Sequence, residues 1–244
     1  SGTYYVVVRD GAGCRTVVSG TITDSNGPMI GGTNHTNVSC NGGSDGSITV
    51  NNVTGGTGTI QYGVDGTHWQ TSNNFTGLKA GVYTVVVKDA NGCSGEVNVT
   101  ITEPAAFVIS TNVIDLTCYG VSTGRVAVTA IGGAGTLAYS LGGASFQSSN
   151  LFSNLPAGSY HVLVRDAPGC TGNASAIVSQ PTQIDVLPPW LNVTCADAQN
   201  GLISILGLGG TGTLEYSLNG TVYQPSGTFE NLEGGVYTLY VRDA

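Results

Sequence analysis

The stretch "AGVYTVVVKDANGC" at residues 80–93 recurs as "AGSYHVLVRDAPGC" at residues 157–170. A third version, "SGTYYVVVRDGAGC", opens the chain, and a fourth, "GGVYTLYVRDA", occupies residues 234–244. Valine alternates with other residues in these stretches, a pattern typical of a β-strand buried on one face. The chain therefore repeats one strand four times, and in three of the copies a glycine-containing turn follows it.

The spacing between copies sets the size of the repeating unit. Tyr83, Tyr160 and Tyr237 are each 77 residues apart, which exceeds the roughly 20–50 residues of solenoid units that cannot stand alone. A unit of this length suits a small independent domain. We expect the end of a truncated repeat at 1–27, complete repeats at 28–104 and 105–181, and a repeat lacking its last strand at 182–244. These partial blocks lead us to expect a longer parent protein.

Two further patterns predict the turns between strands. The dipeptides Asp65–Gly66, Gly142–Gly143 and Asn219–Gly220 each separate two short strand-like runs and predict type I′ hairpins, in which both central residues have positive φ. The segments "LKAGVY", "LPAGSY" and "LEGGVY" precede valine-rich strands and resemble the tyrosine corner of Greek-key sandwiches. We assign that corner to Tyr4, Tyr83, Tyr160 and Tyr237.

These signals together predict seven strands in each repeat. For repeat 105–181 the expected strands are A near 107–118, B at 125–131, C around 139, C′ or D around 146, E near 150–155, F at 159–166 and G at 172–180. No segment long enough for a helix shows helical periodicity. The expected fold is therefore all-β, with tandem immunoglobulin-like sandwiches that are close in pattern to a PKD domain and stacked end to end.

Composition narrows the classes of partner. Charged residues form 9% of the chain, and its net charge is −8. Nucleic-acid-binding surfaces are basic, so nucleic acid is not an expected partner. No apolar run reaches the roughly 18 residues of a membrane helix, so we expect no membrane span in this sequence. A polar surface of Thr, Ser, Asn and Gly suits an extracellular structural protein.

The cysteines occupy two fixed places in the repeat. Cys40, Cys118 and Cys195 follow strand A, whereas Cys14, Cys93 and Cys170 follow the turn after strand F. Two cysteines per unit at fixed places predict disulfides and an oxidising compartment. Zinc is the alternative, but no C-x-x-C pair is present and no histidine adjoins a cysteine, so we expect no metal and no other cofactor.

Two disulfide patterns remain open from the residues alone. In a sandwich the two cysteine positions of one repeat lie at opposite ends, too far apart for the roughly 7 Å limit between bonded Cα atoms. End-to-end stacking predicts an inter-repeat Cys40–Cys170 bond, with the partners of Cys93 and Cys118 outside this sequence. A folded-back junction instead predicts Cys14–Cys40, Cys93–Cys118 and Cys170–Cys195. Free thiols or a bond within one repeat are also open.

With these motifs placed, the sequence resembles the SprB repeat. The resemblance rests on "VSCNGGSDGSITVNNVTGGTGTIQYGVDG" at 38–66 and "FTGLKAGVYTVVVKDANGC" at 75–93. The family's Asp-Gly is Asp45–Gly46 here, whereas later repeats have Thr123–Gly124 and Asn200–Gly201. The resemblance implies a large Bacteroidota cell-surface protein exported by the type IX system. Some such proteins form filaments that gliding cells use to grip a surface, and others have no role in gliding.

Several residue sets are candidate sites, each with a structural interpretation. The hairpin aromatics Trp69, Phe146 and Tyr223 are possible ligand contacts for stacking on sugars, although such rings more often cover one face of a sandwich. An aspartate after strand F, such as Asp89, suits a cation site or an inter-repeat ion pair, or simply accepts hydrogen bonds from its turn. Asp45 and Asp65 lie in acidic turns that sometimes bind calcium, but the chain has no D-x-D-x-D loop.

The sequence favours a structural function over chemistry. No catalytic constellation is apparent, so we expect no enzyme. The main hypothesis is a stiff stalk in an extracellular adhesin filament at the outer-membrane-associated cell surface, for adhesion and gliding motility. The alternative is a multivalent glycan-binding module of a secreted protein. Expected partners are neighbouring repeats of the same chain, with surface polysaccharide or other filament copies as further candidates.

Overall fold

A computed structural model describes residues 1–24, 26–187, 190–191 and 199–243. Every helix or strand in these ranges is a β-strand, so the all-β prediction is confirmed. The chain forms two compact units, Ser1–Ala106 and Phe107–Ala244.

The first unit contains a hairpin and a two-sheet sandwich. The hairpin pairs β1 (Gly2–Arg9) with β2 (Arg15–Ile22). The sandwich strands are β3 (Met29–Thr36), β4 (Gly46–Thr54), β5 (Gln61–Gly63), β6 (Asn74–Leu78), β7 (Gly81–Lys88) and β8 (Ser94–Ile101). One antiparallel sheet has the order β3-β4-β6 and the other β5-β7-β8. These correspond to the A-B-E and C-F-G sheets of an immunoglobulin-like sandwich.

The second unit repeats this topology. Its first sandwich consists of β9 (Val108–Ile114), β10 (Gly124–Ile131), β11 (Ala138–Leu141), β12 (Leu151–Leu155), β13 (Gly158–Arg165) and β14 (Thr171–Val178), in sheets β9-β10-β12 and β11-β13-β14. The remaining strands are β15 (Thr182–Leu187), β16 (Trp190–Leu191), β17 (Gly201–Ser204), β18 (Leu206–Gly210), β19 (Glu215–Ser217), β20 (Thr228–Leu232) and β21 (Tyr240–Arg242). The immunoglobulin-like prediction is confirmed by this strand order.

Each complete sandwich has its own core, built from the alternating valines. In β7, Val85 and Val87 have no exposed surface, and they pack with Ile48 and Val50 of β4. Burying one such side chain contributes roughly 1.5–3 kcal/mol. An equivalent cluster forms around β10 and β13. The period-2 pattern of the sequence thus places one row of side chains between the two sheets.

The predicted C′ or D strand is not present in the described residues. Each complete sandwich has six strands, and the segment after the hairpin turn makes only an isolated bridge, such as Tyr139 with Gln147. The Gln147 side-chain amide donates hydrogen bonds to the Ser149 and Leu151 carbonyls, at 2.9 and 3.1 Å. These bonds turn the loop back towards β12, so the strand cannot extend.

The type I′ prediction is wrong at two of the three hairpins. Gly66 and Gly220 have positive φ, but Asp65 and Asn219 do not; only Gly142–Gly143 has positive φ at both residues. The reason is local hydrogen bonding, since the Asp65 carboxylate accepts bonds from the backbone of the two residues after Gly66. An Asx turn of this kind competes with the type I′ geometry.

The corner between strands E and F requires a left-handed residue. Asn154 has φ +58° there, and the equivalent residues are Gly77 at +75° and Asn231 at +59°. Left-handed backbone costs a residue with a Cβ roughly 1–2 kcal/mol, and asparagine and glycine tolerate it best.

Asn154→Ala should therefore lower the free energy of unfolding of its repeat by about 1 kcal/mol. Asn154→Gly is the matched control and should leave stability within about 0.5 kcal/mol of wild type. Urea denaturation of both variants measures the difference. Equal stability of the alanine and glycine variants would show that backbone conformation does not select this residue.

Candidate functional site

The turn after strand F is fixed by a buried aspartate. In the first sandwich, Asp89 is 3% exposed, and its Oδ1 accepts hydrogen bonds from Asn91 N and Cys93 N at 3.0 and 2.9 Å. Its Oδ2 accepts a bond from Thr57 N at 2.9 Å, in the glycine-rich turn between strands B and C. The aspartate therefore joins two turns by satisfying three backbone donors.

The same arrangement recurs in the other repeats. Asp166 is 4% exposed and accepts bonds from Gly169 N, Cys170 N and Ala134 N at 3.0, 2.8 and 2.9 Å. Asp243 accepts bonds from the Thr211 backbone N–H and hydroxyl, which lower the pKa of its carboxyl. This geometry matches the structural interpretation, since the carboxylates bind turn N–H groups. No cluster of three or more His, Cys, Asp or Glu with metal-binding geometry occurs among the described residues.

The residue before each of these aspartates covers an aromatic ring. The Lys88 ammonium lies 4.1 Å from the centre of the Trp69 ring. The Arg165 and Arg242 guanidinium groups lie 4.1 and 3.8 Å from the centres of the Phe146 and Tyr223 rings, respectively. Cation–π pairs at such distances contribute roughly 0.5–1 kcal/mol at exposed sites. One face of each candidate sugar-stacking ring is thus in contact with the protein's own cation.

The amides beside these rings are also engaged within the repeat. Gln70 Nε2 donates to the Ser72 and Asn74 carbonyls, both at 2.9 Å. A cavity of about 130 Å³ lies beside Trp69, below the roughly 300 Å³ at which ligand pockets begin. The hairpin of the first repeat is therefore built mainly for internal contacts.

The tyrosines assigned to the corner tie strand F to the loop before it. The hydroxyl groups of Tyr83, Tyr160 and Tyr237 donate to carbonyls four residues earlier, those of Lys79, Pro156 and Glu233, at 3.0, 2.8 and 3.0 Å. For Tyr4 the carbonyl four residues earlier would lie outside this sequence, and the Tyr4 side chain is exposed.

Residues of each linker are attached to the repeat that they leave. Glu103 accepts hydrogen bonds from Asn41 Nδ2 and Gly42 N at 3.0 and 2.7 Å, and Asn41 Nδ2 also donates to the Pro104 carbonyl at 3.1 Å. In the next repeat, Gln180 accepts a bond from Gly120 N at 3.0 Å. We call these contacts the linker clamp. The sequence did not reveal the clamp, although the recurring Glu-Pro and Gln-Pro pairs mark it.

The cysteines divide into bonded and free groups. Cys40 and Cys170 are disulfide-bonded, whereas Cys14, Cys93 and Cys118 are free. The folded-back pattern needs bonds at Cys14 and between Cys93 and Cys118, and the free thiols do not match it. Cys195 lies outside the described residues.

Asp45 closes the turn between strands A and B. Its carboxylate accepts hydrogen bonds from the Ser39 backbone N–H at 3.0 Å and the Ser39 hydroxyl at 2.5 Å. The hydroxyl bond first, and the backbone bond second, lower the pKa of Asp45 below its usual value of 3.8. The neighbouring Gly46 lies directly below the Leu78 carbonyl, where a Cβ would approach to 2.8 Å. The Asp-Gly pair thus combines a turn acceptor with a close backbone approach.

Because the folded state lowers the pKa of Asp45, this group stabilises the protein above pH 4 and loses its contribution as the pH falls through the folded value. We therefore expect the difference in melting temperature between wild type and Asp45→Asn to be largest near pH 6. It should shrink as the pH falls towards 2. Thermal unfolding monitored by circular dichroism at several pH values measures the difference, and a difference independent of pH would contradict the assignment.

Comparison with known proteins finds one matching family model and several solved structures that are distantly similar. Residues 32–66 match the family model described as SprB repeat. No curated protein matches the sequence.

The solved structures with similar folds include cell-adhesion proteins. The N-terminal eight immunoglobulin domains of Down Syndrome Cell Adhesion Molecule share 13% identity, with a TM-score of 0.41 over 98% of this chain. This chain spans 39% of that structure's length. A 282-residue C-terminal fragment of intimin, solved with the intimin-binding domain of its receptor, shares 12% identity with a TM-score of 0.35, covering 91% of this chain and 100% of the fragment.

The titin domains I67–I69 share 13% identity with a TM-score of 0.31, covering 90% of this chain and 88% of theirs. These likenesses are distant, so the fold assignment depends on strand order. The part of the chain that the structure describes has no helix able to cross a membrane. The family match covers the turn that Asp45 closes, strand B and strand C, and it confirms the resemblance to the SprB repeat over residues 32–66.

Proposed function

We propose that this chain is a structural repeat region of a large extracellular adhesin and acts as a stiff stalk. The observation that carries the proposal is the linker clamp, because a linker held to its own repeat has fewer conformations than a free one. The hydrogen bonds of the repeated Asp and Tyr residues also hold turns in place and do not line a shared cavity. These features favour a mechanical role over catalysis, and we propose that the chain is not an enzyme.

The domain boundaries that we propose are 28–104 and 105–181 for the complete repeats, with partial repeats at 1–27 and 182–244. Support comes from the two separate cores, each formed by strands from within one of these ranges. The hairpin β1–β2 has the sequence of strands F and G, as expected for the end of a preceding repeat.

An inter-repeat disulfide between Cys40 and Cys170 is the second element of the proposal. It is supported by the bonded state of both residues and by the free thiols at Cys14, Cys93 and Cys118. A covalent link between neighbours limits how far one repeat can unfold or swing from the next. Peptide mapping without reductant should recover a Cys40–Cys170 peptide, and a Cys93–Cys118 peptide would contradict the stacked arrangement.

The linker clamp should restrict the angle between successive repeats. Glu103→Ala removes the acceptor for Gly42 N and one partner of Asn41, so the angle between successive repeats should vary more widely. Negative-stain electron microscopy of single molecules measures that distribution. Glu96→Ala, which changes an exposed carboxylate on β8, is the matched control and should leave the distribution unchanged. An unchanged distribution in Glu103→Ala would contradict the role of the clamp.

The resemblance to the SprB repeat supports a proposal for the location and the partners. We propose export by the type IX system, attachment at the outer-membrane-associated cell surface, and a role in adhesion that includes gliding motility in cells that glide. Antibodies against the chain should label intact producing cells, and protease added to those cells should remove the label. Labelling only after the cells are opened would contradict this location.

One binding test distinguishes the glycan-binding alternative from the stalk function. A stalk should bind no sugar on a glycan array, since the Trp69, Phe146 and Tyr223 rings already contact cations of the chain. Binding that is lost in Trp69→Ala, with the fold intact, would instead establish the glycan-binding function.

A further inference from the structure

We propose that Asn219 is a site of spontaneous deamidation in the folded protein and that the hairpin accepts the aspartate product. Asn219 precedes Gly220, has an exposed side chain and lies in the hairpin after strand β19. Glycine has no Cβ, so its backbone nitrogen approaches a neighbouring side chain more easily than that of any other residue. The site is independent of the stalk function.

The hairpin activates the Asn219 carbonyl. Its Oδ1 accepts hydrogen bonds from Thr221 N at 2.8 Å, Thr221 Oγ1 at 2.9 Å, Val222 N at 2.9 Å and Ser217 Oγ at 3.0 Å. Donors that converge on a carbonyl oxygen stabilise the negative charge that develops when a nucleophile attacks its carbon. The four donors thus form a small oxyanion site around Oδ1.

Ser217 links the nucleophile to this carbonyl. Its buried hydroxyl accepts a hydrogen bond from Gly220 N at 2.9 Å and donates one to Asn219 Oδ1. The hydroxyl therefore receives the proton of the attacking N–H while passing its own proton towards the carbonyl oxygen. Holding both groups in one geometry favours the intramolecular reaction.

The reaction balances with water as its one co-reactant. Gly220 N attacks Asn219 Cγ and the N–Cγ bond forms. The proton that leaves Gly220 N passes through the Ser217 hydroxyl and the Asn219 carbonyl oxygen to Nδ2, so the Cγ–Nδ2 bond breaks and ammonia is released. Water then opens the five-membered imide at either carbonyl and restores the N–H of Gly220. The products are aspartate or isoaspartate at position 219, and the sum is amide plus water giving acid plus ammonia.

The aspartate product has a counterpart in the same fold. The equivalent residue of repeat 28–104 is Asp65, which accepts hydrogen bonds from Thr67 N and His68 N at 2.9 and 2.8 Å. Asn219 accepts the corresponding bonds from Thr221 N and Val222 N. Because a carboxylate is a stronger acceptor than an amide oxygen, the hairpin holds the product at least as well as the original residue.

Asn41–Gly42 provides a matched contrast within the chain. Its side-chain amide donates to Glu103 and the Pro104 carbonyl, and Gly42 N donates to the same Glu103 carboxylate. Negative charge beside the nucleophile and the leaving amide opposes attack, and those contacts hold the amide in place. Asn41 should therefore keep its amide while the repeat stays folded.

The experiment incubates the intact chain at pH 8.5 and 37 °C and maps peptides by mass spectrometry over several weeks. We expect Asn219 to convert about tenfold faster than Asn41, a ratio equivalent to one net hydrogen bond. Conversion of Asn219 no faster than that of Asn41 would overturn the proposal. Asn219→Asp should melt at or above the wild-type temperature, and a clear loss of stability would overturn the claim that the product fits.

Two variants test the activating groups. Thr221→Val removes one donor from an exposed residue and should slow conversion at position 219 several-fold, comparable with the loss of one hydrogen bond. Ser217→Ala removes the bridging hydroxyl and should slow it further, with circular dichroism confirming that the variant is folded. If Thr221→Val converts at the wild-type rate, the oxyanion site does not assist the reaction.

Discussion

Asp166→Ala should destabilise repeat 105–181 by about 3–5 kcal/mol, since it leaves three backbone donors without their acceptor and each unsatisfied buried group costs about 1–3 kcal/mol. The donors are Gly169 N, Cys170 N and Ala134 N. Because the first two lie in one turn and the third in another, the variant should loosen both turns together. Hydrogen exchange at these amides and urea denaturation measure the local and global effects.

Two further variants separate the mechanism from simple truncation. Asp166→Asn keeps one acceptor oxygen but places an NH2 group against the remaining backbone N–H donors. It should therefore destabilise the repeat less than Asp166→Ala does. Arg165→Ala changes the exposed neighbour and should cost less than about 1 kcal/mol, the value of an exposed cation–π pair. If Asp166→Ala lowered the free energy of unfolding no more than Arg165→Ala does, the aspartate would not hold the two turns together.

Gly124→Ala should cost about 3 kcal/mol, at the upper end of overpacking in a well-packed core. A Cβ at Gly124 would lie 2.5 Å from Val178 Cγ1, 2.8 Å from the Leu155 carbonyl oxygen and 3.0 Å from Leu116 Cδ1. The carbonyl belongs to strand β12, so relief requires movement of backbone. Gly124 stands where the SprB repeat has the glycine of its Asp-Gly pair. Close packing, and not a positive φ, explains why glycine occupies this position.

Gly158→Ala is the control for this substitution. It lies at the start of strand β13, where the nearest atom to a new Cβ would be 4.0 Å away. We expect its stability to stay within about 0.5 kcal/mol of wild type. Thermal unfolding of both variants gives the comparison, and similar melting temperatures would mean that the contacts around Gly124 relax without cost.

The sequence was sufficient for the six strands of each complete sandwich because their pattern is local, whereas the predicted C′ or D strand was wrong. The alternating valines of β7 and β13 predict both the strand and the face that is buried, and Val85, Val87, Val162 and Val164 are all inside. Turn geometry was harder, since the Asp65 side chain competes with the type I′ backbone that Asp-Gly otherwise favours.

Contacts between distant residues could not be predicted from pattern alone. The sequence marks Trp69 as a candidate ligand contact but gives no sign of its contact with Lys88. The pairing of β5 with β7 brings the cation over the ring. The contact of Glu103 with Gly42 spans 61 residues. Asp45 carries a carboxylate that could bind calcium, but this carboxylate accepts hydrogen bonds from Ser39, which lies in the same turn.

Small-angle X-ray scattering of the intact chain tests the central claim most directly. Repeats of roughly 35–40 Å each, estimated from strand length, give a rod with a radius of gyration of about 35 Å when placed end to end. A single compact globule of this length has a radius of gyration of about 18 Å. A value near 35 Å that persists at high salt is the expected result, and a value near 18 Å would contradict the stalk.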